Sequence, residues 1–127
     1  MALHLFAGLR VRDYEAARGW YDRVLGEPTF LPHATEAVWT VAEDRSVYVV
    51  EDAERAGGGL VTLALDDLDV HEKRLRDSGL IFTEQTHGAA PRRLVVRDVD
   101  GNTLTFFENP ARSADETSPE PVSRNDP

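Results

Sequence analysis

The chain has 127 residues, 41% of them hydrophobic, which is enough for one packed domain or for two half-domains sharing a core. It contains no cysteine, so disulfides and thiolate metal sites are excluded. Its 23 acidic residues against 14 Lys and Arg give a net charge of −9, and without a basic stripe to displace counterions a nucleic-acid partner is excluded as well.

The same charge favours a neutral or cationic small ligand. No apolar run approaches membrane-spanning length, and no basic segment precedes an apolar one near Met1. The expectation is a soluble, cytoplasmic protein with no membrane partner.

Residues 3–12 read as a strand, with Leu3, Leu5, Ala7, Leu9 and Val11 on one face and His4, Phe6, Gly8 and Arg10 on the other. Asp13 is placed to cap a helix. Tyr14, Ala17, Tyr21, Val24 and Leu25 recur at helical spacing until Gly26 stops it. Three short strands are predicted near 28–33, 36–42 and 45–51, and Asp52–Gly59 is a polar linker ending in three glycines. The order then restarts. A strand is predicted over Leu60–Asp66, Asp67 as a cap, a helix over Leu68–Ser78 closed by Gly79, and strands near 80–86, 92–97 and 103–109. From residue 111 to 127 the chain is rich in Ser, Pro, Asp and Glu, and that stretch is predicted to be a disordered tail.

The restart is a repeat. Leu9, Val11, Asp13 and Tyr21 correspond to Leu63, Leu65, Asp67 and Leu75 at an offset of 54, and Ser46–Asp52 has an echo 57 positions later. Each half is therefore β-α-β-β-β, in modules 1–52 and 59–110 joined by 53–58. The second half ends in Asp98-Val99-Asp100-Gly101-Asn102, a tight turn feeding an alternating strand. The fold class is α+β, with two modules whose curved mixed sheets surround a shared cavity.

His71 falls in the apolar stripe of the second helix and reads as a half-buried histidine at a helix–sheet seam. His33 and His87 read as loop histidines. Alternation requires one of Arg92 and Arg93 to point inward, where it could pair with a ligand carboxylate, and Arg93 is the candidate. No Ser/His/Asp set and no phosphate-cradling glycine loop is present.

Residues 3–110 resemble the vicinal oxygen chelate superfamily, which includes glyoxalase I, extradiol dioxygenases and bleomycin-resistance proteins. The resemblance is carried by the two modules, by a first strand ending Leu-x-Val-x-Asp, by Trp20-Tyr21-Asp22-Arg23-Val24-Leu25-Gly26, and by the Asp-x-Asp-Gly-Asn-x-Leu strand. It implies a divalent metal held by His, Glu or Gln at positions that in this chain are Phe6, Leu60, Tyr48 and Thr105. None of these is a usual metal ligand. The reading is therefore a metal-free, cofactor-free relative of the bleomycin-resistance type. It would pair as a homodimer and bind a small hydrophobic or aromatic compound in a site lined by Phe6, Trp39, Tyr48, Leu60, Arg93, Thr105 and Phe107. The alternative is a lyase or dioxygenase with an atypical metal site at His4 or Glu108. A third reading is a structural or regulatory dimer whose cavity is filled by side chains.

Overall fold

The structure is a computed structural model that describes residues 3–86, 88 and 91–109; the expected tail at 111–127 and His87 lie outside the described residues. In chain order it contains β1 (Leu5–Val11), α1 (Tyr14–Leu25), β2 (Phe30–His33), β3 (Glu36–Ala42), β4 (Arg45–Glu51), β5 (Leu60–Leu65), α2 (Leu68–Asp77), β6 (Thr83–Gln85), β7 (Arg93–Arg97) and β8 (Thr103–Glu108). A single 3₁₀ turn, Ala53–Arg55, lies in the linker.

The strands form two four-stranded mixed sheets in the orders β1-β4-β3-β2 and β5-β8-β7-β6. In each, the first strand runs parallel to the last, while the hairpin strands pair antiparallel. A parallel pairing needs a crossover, and each module's helix lies within it. The sequence and the structure agree on two βαβββ modules.

Both helices begin in the same way. Asp13 Oδ1 accepts the Ala16 amide at 3.2 Å, and Asp67 Oδ1 accepts the Val70 amide at 3.2 Å. The last strand of each module adds a second acceptor to the helix start. Glu51 Oε1 takes the Tyr14 amide at 3.0 Å, and Glu108 Oε1 takes the Leu68 amide at 3.3 Å. Two carboxylates thus satisfy otherwise unpaired N–H groups at the positive end of each helix.

One expected strand is shorter than predicted. Near 80–86 only Thr83–Gln85 pairs, because the Leu80 amide returns to the Leu75 carbonyl at 3.1 Å to finish α2 and the Leu80 side chain enters the core. Ile81 is left 89% exposed.

A single hydrophobic core serves both modules. It joins Leu9, Val11, Ala37, Trp39, Val47 and Val49 of the first sheet to Val61, Leu94, Val96, Leu104 and Phe106 of the second, with Tyr14, Tyr21, Val24, Leu68 and Leu75 from the helices. On each strand these residues alternate with a second set. Val38 and Val95 belong to that set; though buried, they lie outside the core cluster. Each sheet therefore has a core face and an open face, and the open faces are the ones a ligand can reach.

Candidate ligand-binding faces

On the open face of the first sheet, β1 supplies Phe6 and Gly8, β4 supplies Ser46 and Tyr48, and β3 supplies Val38 and Thr40, placed side by side by the register Phe6↔Ser46, Gly8↔Tyr48 and Val38↔Tyr48. Phe6 is 49% exposed. Its ring meets Tyr48 edge-on at 6.5 Å between centroids, and His4 stacks on it at 4.4 Å. Gly8 is required beneath Tyr48, since a Cβ there would press into the phenol ring. His4 Nε2 shares a hydrogen bond with Ser46 Oγ at 2.8 Å, and Ser46 Oγ lies 3.1 Å from Thr40 Oγ1. The result is an aromatic wall edged by hydroxyls, the kind of surface that takes a flat ligand.

The open face of the second sheet differs in content. Leu60 occupies the place equivalent to Phe6 and is 69% exposed, while Thr105, equivalent to Tyr48, is buried. The register Thr62↔Thr105↔Val95 sets the floor, and Phe107↔Arg93 and Thr103↔Arg97 flank it. The Arg93 guanidinium lies 5.6 Å from the Phe107 ring centroid. Arg92 points the other way, into Asp69 (2.6 Å), Glu72 (2.8 Å) and Glu84 (3.3 Å). Arg93 is thus the member of the pair on the open face, where it is exposed.

The structure therefore brings Phe6 to Tyr48 and Arg93 to Phe107, but it keeps the two groups on separate sheets. Trp39 joins neither. It pairs with Val47, sits on the core face at 2% exposure, donates Nε1 to the Gly26 carbonyl at 2.7 Å and packs on Tyr21. Its face depends on the phase of the β3–β4 hairpin, where the register shifts between Thr40 and Ala42.

Trp39 instead lines a cleft of about 410 Å³ at the seam between the modules, with Val24, Leu63, Leu65, His71 and Phe106. The His71 ring lies 4.2 Å from that of Phe106, and its buried Nε2 has no hydrogen-bond partner among the described residues. Burial, with a smaller contribution from Arg74, lowers its pKa to about 4, so the imidazole is neutral at pH 7.

The Asp98–Asn102 turn joins the modules. Asp98 accepts the Tyr21 hydroxyl at 2.7 Å, the Asn102 side-chain amide at 2.8 Å, and the backbone amides of Asp100 and Asn102 at 2.9 and 2.8 Å. Asn102 Nδ2 also donates to the Arg10 carbonyl at 2.8 Å, and Asp100 Oδ2 accepts the Arg12 amide at 3.0 Å. Burial, then Asp98, raises the Tyr21 pKa, which keeps the phenol a donor. Alternation alone did not reveal this role; the clustering of Asp and Asn in one turn was its only signal.

The paired βαβββ architecture, with its open sheet faces, defines a member of the vicinal oxygen chelate superfamily. The chain is similar to a glyoxalase / bleomycin resistance protein from Catenulispora acidiphila DSM 44928, at 41% identity over 86% of this chain and 100% of that one, with a TM-score of 0.82. It belongs to the glyoxalase / bleomycin resistance protein family. A bleomycin-binding protein solved with bleomycin shares the fold at 17% identity, over 85% of this chain and 99% of that one, with a TM-score of 0.69. The oxidase ChaP-H1 shares it at 18% identity, over 87% and 98% of the two chains, with a TM-score of 0.67. No family model and no curated protein matches the chain.

The metal implied by the superfamily does not fit this donor set. Phe6 and Leu60 offer no donor atom, and the positions beside them hold a phenol and a hydroxyl rather than imidazole or carboxylate. Of the alternative ligands, His4 is engaged with Ser46 on the first sheet, whereas Glu108 caps α2 from the second. Among the described residues no group of three or more His, Asp or Glu side chains could hold an ion.

Proposed function

We propose that this protein is a metal-free small-molecule binder that sequesters a flat hydrophobic or aromatic compound, and that it works as a homodimer. The observation that carries the reading is the pair of equivalent positions Phe6 and Leu60. Where the superfamily places metal ligands, this chain leaves large apolar side chains 49% (Phe6) and 69% (Leu60) exposed on open sheet faces. A second copy placed over those faces would set the aromatic wall of one chain opposite the second module of the other, enclosing a site that one chain leaves open. Phe6, Tyr48, Leu60, Arg93, Thr105 and Phe107 would line it. Sequestration needs affinity and no chemistry, which suits a surface of rings and hydroxyls.

The test is a titration of planar drugs by equilibrium dialysis, with sedimentation at micromolar concentration and metal analysis on the same material. Saturable binding that weakens at least several-fold in Phe6→Ala and Phe107→Ala, on a folded metal-free dimer, supports the reading. A monomer near 14.1 kDa that binds nothing defeats it. One equivalent of metal, lost on substituting His4 or Glu108, would replace it with an enzyme.

A further inference from the structure

The two arginines on the open face of β7 separate this site from a purely apolar one. Arg93 and Arg97 stand on either side of Val95, on the same face by alternation. Neither has a carboxylate partner among the described residues. Arg93 has only the Phe107 ring, and Arg97 Nε only Thr103 Oγ1 at 3.3 Å. The contrast with Arg92, one residue away on the opposite side, is sharp, because that guanidinium holds three carboxylates. In a chain with 23 acidic side chains against 14 basic ones, carboxylates are plentiful, yet among the described residues none pairs with either arginine.

We infer that the compound bound here is a planar anion, an aromatic or conjugated carboxylate or enolate, anchored by Arg93 with Arg97 as a second cation. This rests on the binding function proposed above and names its ligand class. A guanidinium presents a rigid fork that matches two oxygens of a planar anion. At 5.6 Å from the Phe107 centroid it marks where a ring and its charged edge are recognised together. Val95 and Thr105, buried to 6% exposure each, give the floor between the two arginines. The net charge of −9 does not oppose this arrangement at contact. Charges more than about 8 Å away are largely screened at physiological salt, whereas the two guanidiniums lie within the site.

The experiment compares three probes of one shape, 2-naphthoate, 2-naphthamide and 2-naphthylmethylammonium, on the full chain by equilibrium dialysis. The acid is expected to bind about tenfold more tightly than the amide, and the ammonium most weakly. Arg93→Gln should erase the preference for the acid, lowering acid affinity by more than it lowers amide affinity. Arg97→Gln should reduce the preference in part, and Arg92→Gln should leave it intact. Equal binding of acid and amide, or a preference for the ammonium, overturns this inference and leaves the binding function standing. Failure of all three probes, and of the planar drugs, overturns both. If Arg93→Gln dissociates the dimer with no change in charge preference, the arginines serve the interface and the inference is wrong.

Discussion

The two modules share a backbone plan and differ in what they do with it. At the helix starts they are duplicates, since Asp13 and Glu51 in the first hold the same amides that Asp67 and Glu108 hold in the second. Elsewhere they diverge. The last hairpin of the first module turns at Asp44, an exposed residue at φ 57° whose carboxylate lies 3.8 Å from the His4 ring. The matching turn of the second module is a buried polar knot tied to the first. On the open faces, Phe6 and Tyr48 of the first module stand where Leu60 and Thr105 stand in the second, and Arg93 and Arg97 of the second stand where Glu36 and Thr40 stand in the first. The repeat is kept where the fold needs it, and it is given up at the joint between modules and at the surfaces read here as binding faces.

The largest effect should come from the unequal turns. Asp98→Ala strands four donors, among them the buried Tyr21 hydroxyl, and should remove about 3 kcal/mol or more of stability in urea denaturation. Asp44→Asn, which keeps a side chain suited to the positive φ, removes one weak exposed pair and should stay within about 0.5 kcal/mol. Equal losses would mean that the modules are held together by something other than the turn.

The faces give the next contrast. Gly8 faces Tyr48, while its counterpart Thr62 faces the smaller Thr105. Making the first module resemble the second with Gly8→Thr should destabilise it by about 1–3 kcal/mol through collision with the phenol ring. Adding Tyr48→Thr should recover most of that loss. A double-mutant cycle measures the coupling, and additive effects would refute it.

The smallest contrast lies in the helices. His71 in α2 corresponds to Ala17 in α1. The unfolded imidazole binds its proton near 6.5, but the folded one does so only near 4. Proton uptake therefore favours the unfolded chain, and this contribution to stability, complete above about pH 6.5, falls as pH drops through 4. The urea midpoint of the wild type should decline over that window more steeply than that of His71→Leu. Parallel curves would show that the ring is free to turn into water.

Much of this was legible in the sequence because it depends on local chemistry. An Asp just before a 3.6-residue apolar period marks a cap, and both helices start where those caps put them. Phe6 and Arg93 were placed on the right faces by counting alternate residues along uninterrupted strands. Trp39 was not, because its face is set across a hairpin with an irregular register. Arg97 was overlooked although the same alternation puts it four residues from Arg93 on the same side. How far the open faces stay uncovered is not legible, since Phe6, Val38 and Val95 give those sides an apolar character that a sequence cannot distinguish from core.

The turn at residues 98–102 has a further consequence, for the order of folding. Its bonds to Arg10, Arg12 and Tyr21 span 92, 88 and 77 positions of chain. Closing a loop of that length costs about 2 kcal/mol more entropy than closing a hairpin of a few residues. Each sheet can therefore form from its own hairpins before the ends of the chain meet, and the turn closes last. A contact made after the transition state governs how fast the native state opens rather than how fast it forms. Asp98 is thus a determinant of how long the folded chain persists, and substitutions there should act almost wholly on the unfolding rate.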